Sequence, residues 1–171
     1  MCQPVVFLDI DGVIRAARPS QINPVEYTPH LAEQLAVKYS DPIYRQLGDA
    51  LCSQILYTFD KEACRLIDQL CSEFQASIVI SSSWRIFHTL EELQALLKLT
   101  GIEHVCGVCP SGTIRRDIIR QYIRQNRIRT YIVIDDMDLT NAFGYRFVHT
   151  PSGFEKRHYE KARYALLCQI N

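Results

Sequence analysis

The stretch Val5-Val6-Phe7-Leu8-Asp9-Ile10-Asp11-Gly12-Val13 decides how the chain is read. Val5 to Ile10 is a short apolar run, rich in β-branched residues and ended by Asp-Gly. Such a run fits a strand buried on both faces. Similar runs recur further on: Ser77–Ile80, Glu103–Val108, Tyr131–Ile134 and Arg146–His149 each predict a strand. Helical stretches separate them. Asp60 can cap a helix that places Ala63, Leu66, Ile67, Leu70, Cys71 and Phe74 on one face. Leu90, Leu93, Leu96 and Leu97 mark a second helix, ended near Gly101. Ile114, Ile118, Ile119, Tyr122 and Ile123 stripe a third, and Glu155–Leu167 closes the chain. Strands alternating with helices predict a single Rossmann-like α/β domain over residues 1–171, with helices on both faces of a largely parallel sheet.

Residues 15–59 break this rhythm. Four of the seven prolines fall between Pro19 and Pro42, while Pro29–Tyr39 and Ile43–Ile55 read as helical. The segment reads as a small, cap-like insertion over one end of the sheet, too short for a second domain. Its tyrosines, Tyr27, Tyr39, Tyr44 and Tyr57, are candidates to flank a flat phosphorylated ring or to pack the lobe itself.

In parallel α/β sheets, ligands bind beyond the carboxyl ends of the strands. Three expected strands end there in polar groups: Asp9 and Asp11, Ser81 to Ser83, and Asp135 with Asp136. Carboxylates placed together repel unless protons or a hard cation neutralise them, and an all-oxygen ligand set favours Mg²⁺. A carboxylate beside magnesium can attack a phosphoryl group, with a hydroxyl and an arginine holding the oxygens on which charge accumulates.

With these residues in place, the chain resembles phosphatases of the haloacid dehalogenase (HAD) superfamily of small-cap or capless type. The opening motif of that superfamily, an apolar strand followed by Asp-x-Asp-x-Thr/Val, reads here Asp9-Ile10-Asp11-Gly12-Val13. The resemblance implies Asp9 as nucleophile and Asp11 as general acid and base. It implies a strand-ending phosphate-binding hydroxyl on Ser82 or Ser81, with Ser82 favoured by the string Ile80-Ser81-Ser82-Ser83-Trp84-Arg85. It implies a phosphate-binding cation on Arg115, with Arg116 as the alternative. Magnesium would be held by Asp9, Asp11 and the acidic pair Asp135-Asp136, with Asp136 weighted above Asp135. The implied activity is hydrolysis of phosphate monoesters through an aspartyl-phosphate.

Two competing readings are weighed beside it. Cys109-Pro-Ser-Gly112-Thr-Ile-Arg115 resembles the phosphate loop of cysteine-dependent tyrosine phosphatases, in which a thiolate at a helix start would be the nucleophile. Val108 and Arg116 stand where that motif usually has His and Ser/Thr, and the four aspartates go unused. The other reading is a non-catalytic phosphate-binding module. Arg85 could be structural or could touch phosphate, and Trp84 reads as a packing residue.

Bulk composition narrows the partners. Nineteen basic and nineteen acidic residues cancel, so no global field recruits nucleic acid, although residues 115–129 hold six arginines. An open site then favours a phosphoprotein, and phosphotyrosine in particular, with nucleic acid disfavoured. The seven cysteines read as free thiols of a reducing compartment. With neither a signal-peptide pattern nor an apolar run long enough to span a bilayer, the expected location is cytoplasmic.

Overall fold

The computed structural model describes residues 3–15 and 27–170. Five strands, β1 (Val5–Leu8), β2 (Ser77–Ile80), β3 (Val105–Val108), β4 (Tyr131–Asp135) and β5 (Phe147–His149), form one sheet in the order β3-β2-β1-β4-β5. Every pairing is parallel, and β1 is central, matched from Val5↔Ser77 to Leu8↔Ile80 on one side and from Val5↔Tyr131 to Leu8↔Ile134 on the other. The expected α/β architecture is the one observed. Strand β1 stops two residues short of Ile10, because the Ile10 carbonyl turns to accept from the amides of Val13, Ile14 and Arg15.

Among the described residues, seven helices accompany the strands: α1 (Leu31–Tyr39), α2 (Ile43–Thr58), α3 (Lys61–Phe74), α4 (Leu90–Lys98), α5 (Arg115–Gln125), α6 (Thr140–Phe143) and α7 (Lys156–Ile170). None is long and apolar enough to cross a membrane. Side chains of β1 alternate between faces, as a doubly covered strand requires. Val6 and Leu8 join a core built with α3, α4 and α7, while Val5 and Phe7 join one built with α5 and α6. Local sequence signals fix the helix starts. The Asp60 carboxylate accepts from the amides of Glu62 and Ala63 at 2.9 and 3.0 Å, and Thr89 forms a reciprocal capping box with Glu92. Helix α6 and the 3₁₀ turn at Gly144–Arg146 carry no periodic pattern long enough to be read beforehand.

Of the insertion, residues 16–26 lie outside the described residues. Its helices α1 and α2 enclose a satellite core of Leu31, Ala32, Leu35, Ala36, Tyr44 and Cys52 that rests on Ala95 of α4. The lobe thus leans on the flank of α4. Three of its four named tyrosines pack within the lobe, while Tyr27 is 60% exposed. Tyr44 is fully buried and donates to the Ala95 carbonyl, Tyr39 packs on Tyr44 at 5.4 Å, Tyr57 meets Thr28, and Tyr27 donates to Asp49. For Tyr39, Tyr44 and Tyr57 the packing role is the one observed.

Candidate active site

The chain runs out from β1 to β2 and returns through β3 to β4, so the strand order reverses between β1 and β4. A crevice at such a switch point is where parallel sheets bind ligands. Asp9 follows β1 and Asp135 ends β4, and the register places them side by side, with the Asp9 amide bonded to Ile134 at 3.0 Å. Both are buried, Asp135 completely. Oxygens of Asp9, Asp135 and Asp136 lie within 4.8 Å of one another. Among the described residues, no other three His, Cys, Asp or Glu side chains come together in this way.

Such crowding shows in the ionisation of the carboxyls. Burial holds Asp9 above the usual carboxylate range, against the pull of Arg115. Burial and the neighbouring Asp9 push Asp135 up to about 7. Arg115, the first residue of α5, relieves part of this repulsion. Its Nη1 lies 2.9 Å from Asp9 Oδ1 and 2.6 Å from Asp135 Oδ2. Burial alone would make that guanidinium easier to deprotonate, but the two carboxylates outweigh it and raise its pKa. One cation against three carboxylates leaves negative charge that a hard divalent ion would neutralise. Asp135 has both oxygens taken, Oδ2 by Arg115 and Oδ1 by the Met137 amide, so Asp9 and Asp136 are the side-chain donors best placed to hold it.

Asp11 stands apart from the trio, on the turn that follows β1. Its side chain is 48% exposed, and both its oxygens are engaged: Arg15 Nη1 donates to Oδ1 at 2.7 Å and Trp84 Nε1 to Oδ2 at 2.9 Å. Gly12 makes the turn possible. Its φ is +77°, and a Cβ there would collide with the Asp136 carboxylate, 2.7 Å from Cγ. The turn that carries Asp11 and the acidic pair therefore fit together only with glycine at position 12.

Ser81 and Ser82 are both buried, and neither hydroxyl has a hydrogen-bond partner. Ser81 continues the ladder, its amide bonded to Leu8, whereas Ser82 begins the departing turn. The Ser82 hydroxyl faces the Asp9 carboxylate and favours its charged form, which leaves it close enough to serve a ligand bound there. Arg85 braces the neighbourhood. Its donors reach the carbonyls of Ser81 at 3.1 Å, Ser82 at 2.9 Å, Pro110 at 3.4 Å and Gly112 at 2.9 Å. It thus ties the turn after β2 to the loop that leads into α5 and Arg115.

The sequence read alone missed what surrounds Asp11. Trp84 does pack against the core, edge-on to Phe59, but it also donates to Asp11, and Arg15 joins it there. The signal was the Trp next to the serine run; nothing in it said which carboxylate the indole would meet. Arg116, the alternative to Arg115, is exposed, and its nearest acid is Asp117 at 3.4 Å. Cys109 is 3% exposed within the core below α5, and burial pushes its thiol up to about 12. That environment opposes a thiolate nucleophile.

A comparison with curated proteins finds no match. Among solved structures, a haloacid dehalogenase-like hydrolase from Streptococcus pneumoniae aligns over 80% of this chain and 76% of its own, at 16% identity and a TM-score of 0.40. The model of the HAD domain in Swiss Army Knife RNA repair proteins matches residues 5–159, a span that includes every site residue named above. This chain belongs to that family of HAD domains.

Proposed function

We propose that the chain is a magnesium-dependent phosphatase that hydrolyses phosphate monoesters through an aspartyl-phosphate on Asp9. The observation that carries this reading is the buried Asp9 at the switch point, in contact with Arg115 and within 4.8 Å of Asp135 and Asp136. Asp9 presents an ionised oxygen to phosphorus, and the leaving oxygen takes its proton from Asp11. To donate, Asp11 must release either Arg15 or Trp84; afterwards it accepts a proton from the water that cleaves the acyl phosphate. Arg115 and the Ser82 hydroxyl hold the phosphoryl oxygens. Magnesium, held by Asp9, Asp136 and the main-chain carbonyl of Asp11, would supply the positive charge that lets two anions approach.

For the substrate, the family description favours RNA: a HAD domain of RNA repair proteins fits removal of a terminal phosphate from a strand. Zero net charge argued for a phosphoprotein, but net charge averages over a chain whose residues 115–129 carry six arginines and one acid. The test is phosphate release from a terminally phosphorylated oligoribonucleotide, a phosphotyrosine peptide and an aryl phosphate, each with magnesium and with chelator. The expected result is magnesium-dependent turnover that is fastest on the oligoribonucleotide. Full activity in chelator would overturn the metal assignment, and preference for the peptide would restore the phosphoprotein reading.

A further inference from the structure

Next to the catalytic crevice the surface is strongly polarised. Residues 115–129 contain six arginines and only Asp117 as an acid, a local charge of +5 in a chain whose total is zero. Arg116, Arg120 and Arg124 are all exposed and fall at i, i+4 and i+8 on α5. That spacing puts them in a row along one side of the helix, one every ~6 Å. The first two line a groove of about 320 Å³ with Asp138, Leu139, Asn141 and Ala142.

Both walls of the groove begin within two residues of the site. Arg116 directly follows Arg115, which reaches Asp9, and Asp138 lies two residues after Asp136. One wall is fixed: Arg120 donates to the Ala142 carbonyl at 3.0 Å and lies over the Phe143 ring at 5.8 Å. This contact uses one of its five N–H donors and leaves the guanidinium at the groove edge. The one acid lining the groove, Asp138, accepts from the Thr140 amide at 2.9 Å, and Arg116 has Asp117 at 3.4 Å, so the two arginines outnumber the lining carboxylate. The groove therefore offers two planar cations and an amide side chain to a ligand with regularly spaced negative charge.

We propose that this groove is a phosphodiester subsite, in which Arg116 and Arg120 hold the linkage next to the terminal phosphate of an RNA strand, with Arg124 continuing the path. The assignment rests on the RNA reading of the active site. Arginine forks match phosphate oxygens, and a strand anchored at Asp9 has to leave the crevice past one of its walls. The arginine wall carries complementary charge.

Two measurements on the full chain separate this subsite from the reading it rests on. The first is kcat/KM on a terminally phosphorylated oligoribonucleotide and on the matching mononucleotide, for the wild type, Arg116→Gln/Arg120→Gln and Arg116→Lys/Arg120→Lys. The Gln pair should cut the oligonucleotide-to-mononucleotide preference about tenfold or more, and the Lys pair should recover part of it. The second is binding of an unphosphorylated oligoribonucleotide across a salt series. The slope of log affinity against log salt should become shallower by about 1.4 in the Gln pair, for two single-strand contacts of about 0.7 each. Efficient RNA turnover with an unchanged preference and an unchanged slope would overturn the groove while sparing the substrate reading. Strand binding that weakens as stated, without turnover of RNA ends, would support the groove and refute that reading.

Discussion

Two loops at the carboxyl end of the sheet compete for one arginine. The turn after β1 presents Asp9, and the loop before α5 presents Cys109, six residues ahead of Arg115 in a spacing that resembles a cysteine phosphatase. In both, a nucleophile-bearing residue follows a strand. Their surroundings differ. Asp9 is buried against other carboxylates and against the Arg115 guanidinium, so its charge has partners. Cys109 is buried among Phe7, Val79 and Ile118, where burial outweighs the pull of Arg85 and Arg115 and disfavours a thiolate. A motif spells which residues are near in sequence; the fold decides which of them share charge. Arg115 bonds to the aspartates.

The sharpest way to break this contrast is a pair of substitutions. Asp9→Asn keeps the shape and removes the anionic nucleophile, so turnover should fall by about 10⁴-fold or more, roughly 5.4 kcal/mol. Cys109→Ala should stay within about threefold of wild type. Steady-state phosphate release measures both. A dead Cys109→Ala beside an active Asp9→Asn would exchange the roles of the two loops.

The crowding around Asp9 can be tested without turnover. The folded-state pKa of Asp135 is about 7, raised from 3.8. A raised carboxyl contributes stability that is fully present below the unfolded pKa and lost as pH climbs through the folded one. In chelator, stability relative to Asp135→Asn should therefore decline between about pH 4 and pH 7, by on the order of 4 kcal/mol. Magnesium should restore much of that difference at high pH. Denaturant melts across pH would show it, and a flat difference would mean that burial and the Asp9 charge together do not hold the Asp135 proton.

Arg115 itself should matter next. Arg115→Ala leaves Asp9 and Asp135 facing each other and removes a phosphate donor, so kcat/KM should fall about 10²-fold, near 2.7 kcal/mol, with partial recovery in Arg115→Lys. Arg116→Ala on an aryl phosphate should stay within about threefold. Equal losses would erase the distinction drawn between the two arginines. The smallest effect is expected at Trp84. Trp84→Phe keeps a ring and deletes the N–H that meets Asp11. If that bond positions the proton donor, an alkyl phosphate should slow about tenfold and an aryl phosphate, whose leaving group hardly needs the proton, much less. A uniform loss on both substrates would assign Trp84 to packing alone.

Much of this site was legible because its signals are local. Strand β1, the Asp60 cap and the stripes of α3 to α5 follow from period and end residues, and Asp9, Asp11, Ser82, Arg115 and Asp136 each follow a recognisable strand end or helix start. What stayed hidden depends on contacts distant in sequence. Arg15 and Trp84 meet on Asp11 although 69 positions separate them, and the donors of Arg85 join two loops that no periodicity links. The tyrosines of the insertion were ambiguous for the same reason, since a ring that packs and a ring that binds look alike until a neighbour such as Ala95 is known.

The covalent step gives the most direct test of the central claim. Asp11→Asn should slow hydrolysis of the acyl phosphate more than its formation from an activated aryl phosphate. Rapid acid quench with radiolabelled substrate and magnesium should then trap label on the protein. A hydroxylamine-labile phosphate should map to Asp9 and be absent from Asp9→Asn. Label on Cys109, or turnover that proceeds in Asp9→Asn, would contradict that claim.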